Sequence, residues 1–144
     1  MQCDDQEAMF EVFEHTADIG LRIRAPDRPS AYAEAAAALF SLLVANPQAV
    51  RGTLSKTYRI VGEQDDYLLF DWLNELLYTF ETERLLLRDF RVAFDDSGLV
   101  ATCRGEPIDR TRHEMEHEVK AITYHELKLE QTADGWLAEV IVDI

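Results

Sequence analysis

The stretch EQDDYLLFDWLNELLYTFETERLL, residues 63–86, constrains this chain's fold more than any other. Leu69, Trp72, Leu73, Leu76, Leu77 and Phe80 recur at three- and four-residue spacing, which makes one broad apolar side on a helix. Asp71, Glu75, Thr79 and Thr82 fall away from that side, and Asp65 or Asp66 can cap the start and complement the helix dipole. A helix with such a stripe has to be covered by another layer. The cover predicted by the rest of the chain is mostly strand.

FEVFEH (residues 10–15) alternates in its first part, and IGLRIRA (19–25) sets Ile19, Leu21 and Ile23 against Arg22 and Arg24, the period of a half-buried strand. After the turn residues of APDRPS, helical spacing returns at Tyr32, Ala36, Leu39, Phe40 and Leu43. Asp27 or Ser30 is the candidate cap of this helix, and Asn46-Pro47 the stop. LSKTYRIVG (54–62) reads as a strand. LRDFRVAFDD and LVATCRGEPID read as a hairpin around Asp96-Ser97-Gly98. In the tail, HELKLEQT and WLAEVIVDI flank Asp134-Gly135, a pair suited to a tight turn, with Trp136, Ala138, Val140 and Val142 on one face. The predicted class is α+β, two helices packed with seven or eight mostly antiparallel strands, without the regular alternation of a Rossmann-type fold.

At 144 residues a single domain spanning 1–144 is expected, with residues 1–9 frayed. No apolar run is long enough to cross a bilayer, and MQCDDQEAM lacks the basic start and apolar block of a signal peptide, so the expectation is a cytoplasmic protein with no membrane partner. Cys3 and Cys103 have no metal-type spacing and are expected to be free thiols, Cys103 as a small buried side chain. The formal net charge is −14, from 28 acidic against 14 basic residues, which repels phosphate backbones and argues against strong direct nucleic-acid binding. An acidic chain can still serve an RNA pathway by docking on a basic protein.

Two stretches compete for the chemistry. HEMEH, with His113 and His117, matches the H-E-x-x-H pattern of zinc peptidases, which requires both histidines on one helical face and a third ligand beyond. Its flanks, DRTR and EVK, are charged on both sides, and no downstream His or Gly signature follows. A solvated charged stretch before a strand is the expectation here, and a metallopeptidase the remote alternative.

EHTADIG places Asp18 in a turn between two short strands, where an Asx-type hydrogen bond to the backbone is its ordinary role. Asp143 ends the last strand, where a carboxylate is ordinarily just solvated. If the first and last strands are neighbours, however, Asp18, Asp143 and the terminal carboxylate or carbonyl oxygens of Ile144 make an all-oxygen cluster suited to calcium or another hard divalent cation. His15 and His125 flank these motifs and are assigned structural hydrogen bonds, because imidazole is a poor calcium ligand.

FEVFEHTADIGLRIRAPDRPSAYAEAAAALFSLL, the WLNELLY segment, VKAITYH and the closing VIVDI, in that order and spacing, resemble the archease family over roughly residues 10–144. The resemblance implies an α+β fold of two helices and antiparallel strands. It implies a protein cofactor, not an enzyme, that activates an RtcB-type RNA-splicing ligase. That ligase joins a 3′-phosphate or 2′,3′-cyclic phosphate end to a 5′-hydroxyl using GTP and manganese; the cofactor promotes its guanylylation and multiple turnover and widens its nucleotide choice. By motif position, Asp18 and Asp143 with Ile144 look like the family's calcium-type site, and Lys120 in VKAITYH like the lysine needed for activation. A chaperone-like modulator of a tRNA cytosine methyltransferase is the alternative role, and a plain surface lysine the alternative for Lys120.

Overall fold

The structure, a computed structural model, describes residues 7–15 and 18–144, the side chains of Glu14 and His15 excepted. Eight strands and two α-helices follow one another as β1 (Met9–His15), β2 (Asp18–Ala25), α1 (Arg28–Leu43), β3 (Leu54–Val61), α2 (Asp65–Glu83), β4 (Leu85–Asp95), β5 (Gly98–Pro107), β6 (Ala121–Ile122), β7 (Lys128–Thr132) and β8 (Gly135–Asp143), with one 3-10 turn at Pro47–Ala49. Met9 already pairs with Arg24, so ordered strand begins inside the segment expected to fray. The predicted α+β class is observed.

All strand pairs are antiparallel and form two sheets. The first runs β1-β2-β8-β6, with β7 sharing the β8 edge that β6 occupies further along; the second is β3-β5-β4. Both helices touch both sheets. Ile19, Leu21 and Ile23 of β2 and Ala138, Val140 and Val142 of β8 point into one continuous core with the helices, as their alternation predicts. Aromatic contacts lock the layers: Phe40 of α1 stacks on Phe90 of β4 at 5.8 Å, and Trp72 of α2 meets Tyr58 of β3 edge-on at 5.6 Å. The Trp72 indole N–H also donates to the Tyr32 carbonyl at 3.0 Å, so this large ring is buried without an orphaned donor.

Asp27 caps α1, its carboxylate accepting from the Ser30 amide at 2.8 Å. α2 departs from expectation at its start: Gln64 is the cap residue and makes no side-chain cap bond, while Asp65 and Asp66 lie in the first turn. Asp65 instead joins the helices, accepting from the Tyr32 hydroxyl at 2.8 Å and from Arg28 at 2.7 Å. Thr79, expected on the polar side, is 2% exposed. Its hydroxyl donates to the Glu75 carbonyl and accepts from Tyr58 at 2.8 Å, so burial leaves nothing unsatisfied. At the β7–β8 hairpin only Gly135 has positive φ, +141°, and a Cβ there would collide with the Ala25 carbonyl.

The tail is less strand-rich than expected, because residues 108–120 form turns and extended chain. Their backbone serves α1. The amides of Glu116 and His117 donate to the carbonyls of Leu43 and Leu42 at 2.9 and 2.8 Å, satisfying acceptors that a helix C-terminus leaves open. Cys103 is fully buried and its thiol is pushed up to about 12 by that burial; Cys3 lies outside the described residues. Among the described residues no helix is long and apolar enough to cross a membrane.

Candidate functional site

The strand that carries Asp18 is the second, not the first, and it lies directly beside the last. β2 and β8 pair with Ile19 opposite Val142, so the next rung sets Asp18 level with Asp143. Asp18 is the first residue of β2, paired with His15 across the turn in which the sequence reading placed it, whose residues 16–17 lie outside the described residues. Side chains alternate along a strand. Because Ile19 and Val142 face the core, both aspartates belong to the outer face, where both are half-buried.

β6 approaches Asp143 from the other edge. Ala121 pairs with Asp143, and the Lys120 amide donates to the Asp143 carbonyl at 2.8 Å. Asp18, Asp143 and Lys120 therefore come from three adjacent strands or strand ends, although 125 residues separate the two aspartates in sequence. The Lys120 side chain is exposed. With Asn74, Tyr78 and Glu81 it lines a groove of about 350 Å³ against α2.

Neighbouring residues fix this end of the sheet. Gly20 lets the ring of Phe13, its partner on β1, lie across the backbone where any Cβ would collide with it. Arg22 sits over the same ring at 4.6 Å and is committed to Glu139 at 2.7 Å and Glu11 at 3.3 Å. Arg22 is thus already paired. No hydrogen bond or ion pair engages the side chains of Asp18, Asp143 or Lys120 with any other described residue.

Like charges set opposite each other across a strand pair repel. Two carboxylates on one rung, with no ion pair to either among the described residues, form a place that a cation could occupy. The donor set of Asp18, Asp143 and the Ile144 carbonyl is all oxygen and fits a hard cation rather than zinc or copper. It is too small to satisfy one alone, since calcium takes ~6–8 oxygens. Among the described residues no group of three or more His, Cys, Asp or Glu stands together as a ready metal cage.

HEMEH is not a helix, and this removes the metallopeptidase alternative. Residues 114–117 run extended beside the end of α1, with Met115 bridging Val44, so His113 and His117 cannot share a helical face. His113 is only 3% exposed, contrary to the solvated stretch expected. Its Nδ1 accepts the Asp109 amide at 2.9 Å, so Nε2 carries the proton and donates to Glu106 at 2.8 Å. Both ring nitrogens are occupied. Glu106 also accepts from Arg112 at 2.6 Å and from the Arg51 amide at 2.8 Å. Arg112 above all holds the Glu106 carboxyl well below the ordinary range, at about 2. Sequence reading missed Glu106, and only the alternation of β5 around Cys103 hints that it turns away from the core face.

Of the flanking histidines, His15 has no described side chain, and exposed His125 has its Nε2 2.8 Å from a Glu126 carboxylate oxygen.

Residues 10–144 match the family model described as "Archease protein family (MTH1598/TM1083)". The chain belongs to the archease family. It is 39% identical to "Protein archease" of Pyrococcus abyssi, covering 94% of this chain and 98% of that one. It is 35% identical to the Methanosarcina barkeri archease, over 96% and 98% of the two chains. The solution structure of Methanobacterium thermoautotrophicum protein 1598 superposes with a TM-score of 0.80 at 34% identity, covering 94% of this chain and 98% of that one. The archease resemblance expected from the motifs is therefore established, together with its two-helix, two-sheet architecture.

Proposed function

We propose that this chain is an activating protein cofactor of an RtcB-type RNA ligase, promoting the ligase's guanylylation and multiple turnover in tRNA splicing or RNA repair. Family membership supports a protein-cofactor role. The observation that carries the finer reading is the rung on which Asp18 and Asp143 meet with no cationic partner among the described residues, with Lys120 hydrogen-bonded through its backbone to the same Asp143.

Asp18, Asp143 and the Ile144 carbonyl would hold calcium or another hard divalent cation, whose charge would offset the two carboxylates and favour phosphate nearby. Water or the partner would supply the remaining oxygens. Lys120 joins this rung through its backbone, and its ammonium group, on a long stem in the groove against α2, is suited to charge-assisted hydrogen bonds to phosphate oxygens. Its part is to orient a nucleotide triphosphate in the ligase's own active site, a positioning and electrostatic effect without covalent chemistry in this chain. The net charge of −14 favours encounter with a basic protein surface and disfavours bare RNA.

A guanylylation assay with limiting RtcB-type ligase and labelled GTP tests this. Asp18→Asn, Asp143→Asn and Lys120→Ala should each cut the stimulation while circular dichroism and Tm stay near wild type. Full stimulation by all three variants, or none by the wild-type chain, overturns the reading. Loss of stimulation in His113→Ala alone, at unchanged stability, would point back to the other stretch.

A further inference from the structure

α2 carries a second stripe besides the one that fills the core. Tyr67, Asp71, Asn74, Tyr78 and Glu81 follow one another at steps of four, three, four and three, so they share one side of the helix. Tyr67 and Tyr78 stand ~16 Å apart along the axis and within about 20° in direction around it. They are 53% and 61% exposed. Tyr124, 44% exposed, adds a third ring from the loop after β6, stacked on Phe70 at 4.0 Å and edge-on to Tyr67 at 5.4 Å.

The chain has five tyrosines, and the other two behave differently. Tyr32 and Tyr58 are buried, with their hydroxyls bonded to Asp65 and Thr79. The remaining three stand in water on one side of a long helix and a stacked loop. Rings held this way lose little freedom on binding, and tyrosine is among the residues enriched where interfaces concentrate their affinity.

Charge narrows the partner. α2 has six carboxylates and no Lys or Arg, and Lys120 is the one cation lining the groove with Asn74, Tyr78 and Glu81. Such a face repels phosphate backbones and repels a second copy of itself. Its complement is a cationic protein surface with clefts for aromatic rings. We propose that the outer stripe of α2, together with Tyr124, is the docking face for a basic surface of the partner protein, and that docking there lays Lys120 into the interface. The identity of the partner rests on the proposed function.

Fluorescence titration of the full chain against an RtcB-type ligase tests the face, with Tyr67→Ala/Tyr78→Ala and Asp71→Lys/Glu81→Lys as variants. Both pairs are exposed, so unchanged circular dichroism and Tm are expected. Loss of two anchoring rings should weaken Kd roughly thirtyfold or more while stimulation at saturation persists, unlike Lys120→Ala, which should lose the plateau. The charge reversal should slow association and flatten its salt dependence. An unchanged Kd in the tyrosine variant, with the wild type binding normally, overturns the face and leaves the proposed function standing. Wild-type chain that does not bind the ligase overturns both. A wild-type dimer that dissociates in the tyrosine variant at unchanged ligase affinity assigns the stripe to self-association instead and overturns the proposal.

Discussion

The carboxylate of Glu106 and the carboxylates of Asp18 and Asp143 are built in opposite ways. Glu106 is 6% exposed and receives an arginine, a histidine and a backbone amide. Asp18 and Asp143 share a rung with no described partner for either side chain. A buried charge with every bond made is a device for holding structure, because removing any partner exposes the cost of the others. Like charges on one rung, with no partner among the described residues, repel one another, and a ligand or partner can offset that repulsion. The histidine-rich motif belongs to the first kind, and the aspartates at distant positions belong to the second.

The difference can be tested from its strongest side first. Glu106→Ala should destabilise the fold by ~3–5 kcal/mol, since it leaves the buried His113 Nε2–H and the Arg51 amide without their acceptor and breaks the ion pair to Arg112; urea denaturation measures this. A loss under 1 kcal/mol would break the structural side of the contrast. Asp143→Asn should lower stimulation of guanylylation about a hundredfold, ~2.7 kcal/mol in activation, while leaving stability near wild type. His113→Ala should cost ~1–3 kcal/mol of stability, with stimulation per folded molecule unchanged. Asp27→Ala, which removes the cap of α1 far from either group, should cost ~1 kcal/mol and sets the scale for an ordinary local loss.

A pH titration sharpens the same contrast. The Glu106 carboxyl is held at about 2 in the folded chain against 4.5 ordinarily. The folded state therefore binds the proton less readily than the unfolded one, and the stability this confers is present in full above about pH 4.5. It drains away as pH falls from there toward about 2. Glu106→Gln should flatten that part of the stability curve.

Much of the architecture was legible because local patterns and long-range packing agree. Ile19, Leu21 and Ile23 alternate, and they are buried; Asp27 precedes the apolar spacing of α1, and it caps the helix. The errors fall where the tertiary environment outvotes the local one. Thr79 looked polar by residue type, yet Tyr58 supplies its bond from another element, and Asp65 looked like a cap, yet Arg28 and Tyr32 claim it. The i,i+4 histidines of HEMEH suggest a helix only until the open carbonyls of α1 draw the backbone at 116 and 117 into extended chain.

By itself the sequence determined the two helices, most of the strands and the acidic surface, since each depends on neighbours within a few turns or on composition. It also supplied Asp18 and Asp143 as candidates, and the resemblance to the archease family added Lys120. Only the tertiary structure decided that β2 and not β1 borders β8, which puts both aspartates on one rung, and that Lys120 joins them through the Asp143 carbonyl. Strand neighbourhood is set by which faces must be buried together across the whole core, and no local spacing encodes it.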